Sequence, residues 1–278
     1  MAYPILFEKP NLAQLKKDGY FCVDMHTHSD CSDGITPPNM IIKHLKKNNF
    51  KTALTDHNTA QGVLSIYKEK DAKNHVISGI EVNSADGPHI LAYFYDSKEL
   101  SEYSQRYVNA WKNHNPNVKI NKGALQIVEE LKKYNCIISL AHPYGFAWTN
   151  LDWAIHHNKE IKKLPRMVHA IEVINGCLLE DRNKKAVDLC NNLSMPFTAG
   201  SDGHIIAEFG GTFTCSLADD IEEFLDNLKK KRAMLAVGKE IRLLRVIAHS
   251  MCLMKHIRYT PSIIAAAFEK KRKFNRWY

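Results

Sequence analysis

Three absences narrow the possibilities before any motif is read. The seven cysteines are odd in number and nowhere form C-x-x-C, which argues against a disulfide framework and against a thiolate zinc knuckle. No stretch approaches the ~20 apolar residues of a membrane span, and the opening MAYPILFEKPNLAQLKKDGY lacks the uninterrupted apolar segment of a signal peptide. No internal repeat, low-complexity tract or Gly/Ser linker is visible. These absences predict a cytoplasmic protein with reduced thiols, no transmembrane segment, and no sharp boundary before residue 235.

What is present is ordinary in bulk and uneven in detail. Of 278 residues, 45% are hydrophobic and 24% charged, enough apolar material for a real core. The formal charge is +8, but from Lys229 onward 14 Lys/Arg face only Glu240 and Glu269. That stretch is therefore at +12, and the first 228 residues are at −4, the difference between +8 and +12. The basicity belongs to the C-terminal end.

Seven short β-rich runs punctuate the chain: FCVDMHTH, KTALTDHN, HVISGIEV, HILAYFYD, CIISLAHP, HAIEVING and PFTAGSDG. Helical stretches lie between them, among them TPPNMIIKHLKKNN, with Thr36 as cap and Pro37 at the first helical position, and NKGALQIVEELKKYN, with Leu125, Val128 and Leu131 on one face. Alternating strand and helix predict a parallel sheet, and at this length a closed or nearly closed barrel. The strand candidates end in His, Asp, Glu or Asn, and in such a barrel those ends share one rim.

The rim then collects His26, His28, Asp33, His57, Glu81, His89, His142, Asp202 and His204, without a lysine or arginine. A His-x-His pair alone arises about once by chance in a chain with 14 histidines; nine such residues at strand ends are a different matter. Imidazole with carboxylate suits Zn, Mn or Fe, and nine candidates exceed what one ion uses, so two or three divalent ions are expected. Lone histidines such as His44, His75 and His114, and the helical pair His156 and His157, read as surface or satisfied residues. Cys31 has no second cysteine nearby. Asp24 and Asp56, each beside a candidate ligand in sequence, either orient an imidazole or cap a turn.

In order along the chain, HTHSDCSDG, LTDHNT, GIEV, HILAYF, AHP, IEVING followed by RN, and GSDGH resemble the motifs of the PHP (polymerase and histidinol phosphatase) superfamily of metal-dependent phosphoesterases. The resemblance runs from residue 22 to 205. It implies a distorted (β/α)7 TIM-like barrel with a trinuclear site at the C-terminal rim of the strands. His26, His28, Glu81 and Asp202 would bind one ion, and Glu81 would bridge to a second held by His89 and His142. Asp33, His57 and His204 would bind the third. Of these, His28, Glu81, Asp202 and His204 stand as catalytic candidates, with Arg182 and Asn183 as substrate contacts. Within the superfamily the chain is most similar to the nucleotide phosphatases and 5′-to-3′ exoribonucleases, although Asn58 stands where that branch often has Asp.

The expected chemistry is hydrolysis of a phosphate ester of a small nucleotide or an oligonucleotide 5′ end through a metal-bound hydroxide, since metal-bound water loses its proton at a pKa of roughly 7. Arg182 would contact phosphate or be a solvated helix charge, and Tyr144 and Trp148 would stack on a base or pack on the barrel. The rival readings are a histidinol-phosphatase-like phosphomonoesterase, a catalytically silent nucleic-acid-binding PHP module, and an amidohydrolase barrel. The domain expectation is a barrel over 1–235 and a basic helical extension over 236–278. There Leu243, Leu244, Ile247, Met251 and Met254 alternate with Arg242, Arg245, Lys255 and Arg258, a pattern suited to covering the barrel or to touching single-stranded nucleic acid or an anionic membrane surface.

Overall fold

The computed structural model describes residues 4–112, 119–146, 149–230 and 234–240. Its ten strands are β1 (Ile5–Leu6), β2 (Tyr20–Thr27), β3 (Lys51–Leu54), β4 (Val76–Asn83), β5 (His89–Phe94), β6 (Cys136–Leu140), β7 (Ala170–Asn175), β8 (Phe197–Gly200), β9 (Thr212–Leu217) and β10 (Met234–Gly238). They form one sheet in the order β1-β10-β9-β2-β3-β4-β5-β6-β7-β8. The sheet curls until β8 returns to β2. His28 N–H donates to the Gly203 carbonyl at 2.9 Å, Asp202 N–H donates to the His26 carbonyl at 2.8 Å, and Thr27 and Gly203 form a parallel bridge. Gly200 permits this closure, because a Cβ there would fall 2.4 Å from His26 N.

All seven expected runs are strands, in a distorted α/β barrel, but the sheet is mixed and not parallel as expected. β5 is antiparallel to both β4 and β6, while β2-β3-β4 and β6-β7-β8 are parallel. The cause is local: only residues 84–88 separate β4 from β5, whereas a parallel return needs a crossover of about a dozen residues or more. The antiparallel return places His89, the first residue of β5, opposite Asn83, the last of β4. His89 reaches the rim at the start of its strand.

β1, β9 and β10 were not expected. β9 pairs antiparallel with β2 and β10, and β10 pairs parallel with β1. β10 straddles the anticipated boundary at residue 235, and from residue 241 onward the basic extension lies outside the described residues.

Helices cover the sheet where the sequence periodicity places apolar residues at i, i+3, i+4 and i+7. In Pro38–Asn48 the buried residues are Pro38, Ile41, Ile42 and Leu45. This helix starts one residue later than anticipated, with extended Pro37 as its N-cap in place of Thr36, and a left-handed Asn49 stops it by returning its N–H to the Leu45 carbonyl. In Ala124–Leu131 the inner face is Ala124, Ile127, Val128 and Leu131; Leu125 is only partly buried. One apolar cluster joins these helices to Leu54, Ile80, Val82, Ile138 and Leu140, and a second joins Val23, Met25, Leu91, Tyr93, Ile171 and Ala199 to Phe224, Leu225 and Leu228 of the helix Ile221–Lys230. No described helix is long and apolar enough to cross a membrane.

Candidate metal centre

Strand ends and the loops after them bring the nine expected side chains together. The groups whose ligand atoms converge are His28, Asp33, His57 and His204; His26, Glu81 and His142; His26, His28 and Asp202; and His57, Glu81 and His89. Every one of the nine belongs to at least one group, and among the described residues none of the groups contains a cysteine. Breaks in register occur in β2 between Asp24 and Thr27 and in β7 between Glu172 and Ile174, at the strands that supply His26 and Glu172. Such irregularities re-aim side chains beside functional sites.

Glu81 is the hub. Its fully buried carboxylate lies 2.9 Å from His57 Nδ1, 2.9 Å from His89 Nδ1, 3.0 Å from His142 Nε2, 3.1 Å from His26 Nε2 and 3.5 Å from His28 Nε2. Asp202 adds contacts of 3.0 Å to His28 Nε2 and 3.4 Å to His26 Nε2. At the more open side, Asp33 Oδ2 lies 3.2 Å from His204 Nε2 and 3.4 Å from His57 Nε2. His204 Nδ1 donates to the Asp202 carbonyl at 2.7 Å, which leaves Nε2 as its ligating nitrogen.

The electrostatics are those of carboxylates crowded by imidazoles. Burial would raise the Glu81 carboxyl, but His57, His26 and His89 hold it well below the carboxylate range; the Asp202 carboxyl is held down against burial by His26, His28 and His204, and that of Asp33 by His57 and His204. Conversely, burial would lower His26 and His57, yet Asp202, Glu172 and Glu81 lift the first well above its ordinary value, and Glu81 and Asp33 lift the second. Burial, with His204 beside it, pushes His28 down to about 4. His28 is thus a neutral imidazole with a lone pair.

A divalent ion fits this donor set. Two ligand atoms at about 2.0–2.1 Å from one tetrahedral ion stand roughly 3.3 Å apart, within the spread of nitrogen to oxygen distances just given. His28 Nδ1 and Asp33 Oδ1 are buried without a hydrogen-bond partner and lie 3.8 Å apart, and His57 Nδ1 approaches Glu81 Oε2 out of hydrogen-bonding alignment. One cation would satisfy such atoms where a shared proton does not. Two of the nine, His142 (φ 24°) and Asp202 (φ 53°), adopt left-handed backbone, a strain of the kind found at binding sites.

Residues around this centre hold it in place. Asp56 accepts from Ser29 N–H, Ser29 Oγ and Ser32 Oγ, each at 2.7 Å. Asp24 accepts from Ser201 N–H and Oγ and from Gly210 N–H. Both acids pin loops; neither bonds an imidazole side chain. That task falls to Glu172, whose Oε1 lies 2.9 Å from His26 Nδ1. Glu208 accepts from His204 N–H and Ile205 N–H. Sequence reading did not single out either glutamate. For Glu172 a signal exists, a carboxylate inside the apolar run AIEVIN; for Glu208 there is none.

Arg182 Nη1 donates to the Tyr144 and Gly145 carbonyls, and its guanidinium stands 4.5 Å from the Phe146 ring centroid. Asn183 is buried, with its amide spanning Asn175 N–H and carbonyl. Tyr144 is half-buried, and Trp148 lies outside the described residues. Cys31 Sγ neighbours Asp30.

The PHP domain family model matches residues 24–237, a span that includes every residue of the centre. The chain belongs to the PHP domain family. Among curated proteins, this PHP domain is 23% identical over 227 residues to an uncharacterized protein of Methanocaldococcus jannaschii, covering 78% of this chain and 83% of that one. Among solved structures it is similar to a lesion-specific endonuclease from Pyrococcus furiosus, with TM-score 0.59 and 17% identity over 78% of this chain and 57% of the endonuclease. It is also similar to PsfC from Pseudomonas syringae, with TM-score 0.55 and 16% identity over 88% and 99% of the two chains. An amidohydrolase from Chromobacterium violaceum, crystallised with bound sulfate and no metal, has TM-score 0.53 and 15% identity over 74% and 96%. At these identities the structural likenesses establish the fold alone.

Proposed function

We propose that this PHP domain is a metal-dependent phosphoesterase that uses two or three divalent ions, Zn, Mn or Fe, to hydrolyse a phosphate ester of a small nucleotide or of an oligonucleotide 5′ end. The observation that carries the reading is the convergence of six imidazoles on the carboxylates of Glu81, Asp202 and Asp33. His26, His28, Glu81 and Asp202 would hold one ion, Glu81 with His89 and His142 a second, and Asp33, His57 and His204 a third. Bound ions supply a nucleophilic water at neutral pH and offset phosphoryl charge.

The chain's own residues set the rest. Glu81, His26 and His28 are wholly buried, and burial strengthens the charge interactions around them. Arg182 is tied by Nη1 to the loop after His142 and would offer its remaining N–H donors to the phosphate. Asn183 acts one step back, by fixing Asn175, which donates to Asp202 Oδ2 at 3.2 Å. Glu81 stands on the third strand counted from β2, and His57 adds a further ligand, which favours phosphate esters over the amidohydrolase reading, whose sites use a lysine or carboxylate bridge from the fourth barrel strand.

The test is elemental analysis of protein purified without chelator, paired with a screen of phosphomonoesters and short 5′-phosphorylated oligonucleotides. More than one ion per chain and chelator-sensitive hydrolysis restored by Mn are expected. At most one ion in metal-replete buffer, or chelator-resistant hydrolysis, overturns the reading. The basic tail would hold single strands, so deleting residues 270–278 should flatten a salt dependence of about −0.7 log units per phosphate contact while mononucleotide turnover is unchanged.

A further inference from the structure

One carboxylate outside the nine touches three separate parts of the centre. Glu172 sits within β7 (Ala170–Asn175), every residue of which is buried, and among the described residues no basic side chain pairs with it except an imidazole of the centre. Its Oε1 lies 2.9 Å from His26 Nδ1. Its Oε2 accepts the N–H of His142 at 2.7 Å and Asn175 Nδ2 at 3.1 Å. That same Nδ2 also donates to Asp202 Oδ2 at 3.2 Å. A single side chain is thus joined to β2, to the strained backbone after β6, and through Asn175 to the strained residue after β8.

We propose that Glu172 is a positioning residue that fixes the ligating tautomer of His26 and the backbone of His142, so that the ions on the Glu81 and Asp202 side depend on it while the ion on Asp33 and His204 does not. This rests on the metal reading of the preceding subsection. His26 presents Nε2 to Glu81 Oε2 at 3.1 Å and to Asp202 Oδ1 at 3.4 Å; a neutral imidazole ligates through Nε2 only when its proton is on Nδ1. The Glu172 Oε1 acceptor holds the proton there. His142, at φ 24°, occupies backbone space that non-glycine residues rarely adopt, and the Oε2 acceptor on its N–H offsets that cost.

Glu172→Gln changes the chemistry without changing the shape. The amide has one acceptor where the carboxylate has two. If its oxygen stays on His142 N–H and Asn175, its NH2 faces His26 Nδ1 and drives the ring proton to Nε2, which then cannot ligate. If the amide flips, the NH2 meets His142 N–H and Asn175 Nδ2, donor against donor. Either outcome disables one or more ligands, while the group of His28, Asp33, His57 and His204 has no contact with Glu172 and stays intact.

The experiment uses the full chain, wild type and Glu172→Gln, stripped with chelator and dialysed against graded Zn or Mn, with ion content by elemental analysis and melting followed in chelator. The expected result is cooperative melting, one retained ion, and a fall of roughly 10- to 100-fold in affinity for the others. Nitrogen NMR of the Zn-loaded protein should show the proton on His26 Nδ1 in the wild type only. Equal affinities for all ions in the two proteins, or uniform loss of every ion together with lowered melting, overturns the assignment. A wild type that binds at most one ion overturns the metal reading itself. Should Glu172→Gln fail to fold, Asn175→Ala decides: selective weakening of the Asp202 ion with unchanged melting supports the relay, and unchanged affinity refutes it.

Discussion

The two halves of the centre are built in different ways. The Glu81 half is anchored on strand residues: Glu81 in β4, His26 in β2 and His89 in β5 are held by the ladder itself, with Glu81 and His26 wholly buried, and His28, His142 and Asp202 join them from just beyond β2, β6 and β8. The Asp33 half takes Asp33, His57 and His204 from loops; exposure does not separate the halves, since Asp33 and His204 are 11% and 17% exposed and Asp202 and His89 are 16% and 15%. What the ladder does for the first half, polar staples do for the second: Asp56 on Ser29 and Ser32, Glu208 on His204 and Ile205. Sites on regular elements are more precise than sites on loops. The Glu81 half should therefore bind its ions more tightly and be less forgiving of change.

The largest effect is expected from Glu81→Ala. Five imidazoles lie within 3.5 Å of that carboxylate, so its loss should release two ions together. Turnover should fall by more than the roughly 10- to 100-fold typical of a supporting residue, and a loss confined to one ion in elemental analysis would show that Glu81 does not bridge. His204→Ala comes next. It should cost the Asp33 ion alone, with the remaining ions retained in the same measurement; loss of all ions would erase the distinction between the halves.

The sequence made the two halves unequally legible. Strand-end residues were readable because a chemical side chain closes each apolar run, as in KTALTDHN and HVISGIEV, and the barrel logic carried them to one rim. The direction of β5 was not read, although the short SADGP between Asn83 and His89 carries it: five residues cannot make a crossover. β9 was missed although TFTCSL alternates Phe213, Cys215 and Leu217 with the fully buried Thr212, Thr214 and Ser216, because it closes on no metal-ligating side chain. Among supporting residues, the sequence marked Asp24 and Asp56 by adjacency to histidines, but adjacency along a strand does not imply contact. Successive residues point to opposite faces, and the imidazole partner of His26 comes from Glu172, 146 residues away.

Charge balance gives the next test. Sign follows from the direction of each shift. Glu81, Asp202 and Asp33 are lowered in the folded chain, so their contribution is present above ordinary carboxylate values near 4 and is lost as pH falls through the folded values. His26 and His57 are raised, so the ion-free chain holds their contribution below about 6.5 and loses it as pH rises through their folded values. His28 and His89 are lowered and cost stability as pH falls below about 6.5, so ion-free protein should be most stable near pH 6.5 and weaken above it, by at most about 1.4 kcal/mol per pH unit for each proton released. Loaded protein should show the opposite trend, since ions must displace those protons and affinity rises with pH. Denaturant midpoints from pH 5 to 9, with and without Zn, measure both. Parallel curves would mean that ions do not replace imidazole protons in either half.

The smallest effect should come from one staple. Ser32 Oγ donates to Asp56 Oδ1 at 2.7 Å with both groups buried, and Asp56 keeps two further donors from Ser29 after Ser32→Ala. The change removes one hydrogen bond and strands no acceptor without a partner, so stability should fall by only about 1–2 kcal/mol. Its signature lies in where the loss is felt. The loop between His28 and Asp33 is anchored by these serines, and freeing one end lets Asp33 wander relative to His57 and His204, whereas Glu81 is gripped by its strand neighbours Ile80 and Val82. Titration with Zn should show a several-fold weaker Asp33 ion beside unchanged affinities at the Glu81 half. Equal weakening at both halves would mean that the loop and the ladder form one rigid unit, and the contrast between them would collapse.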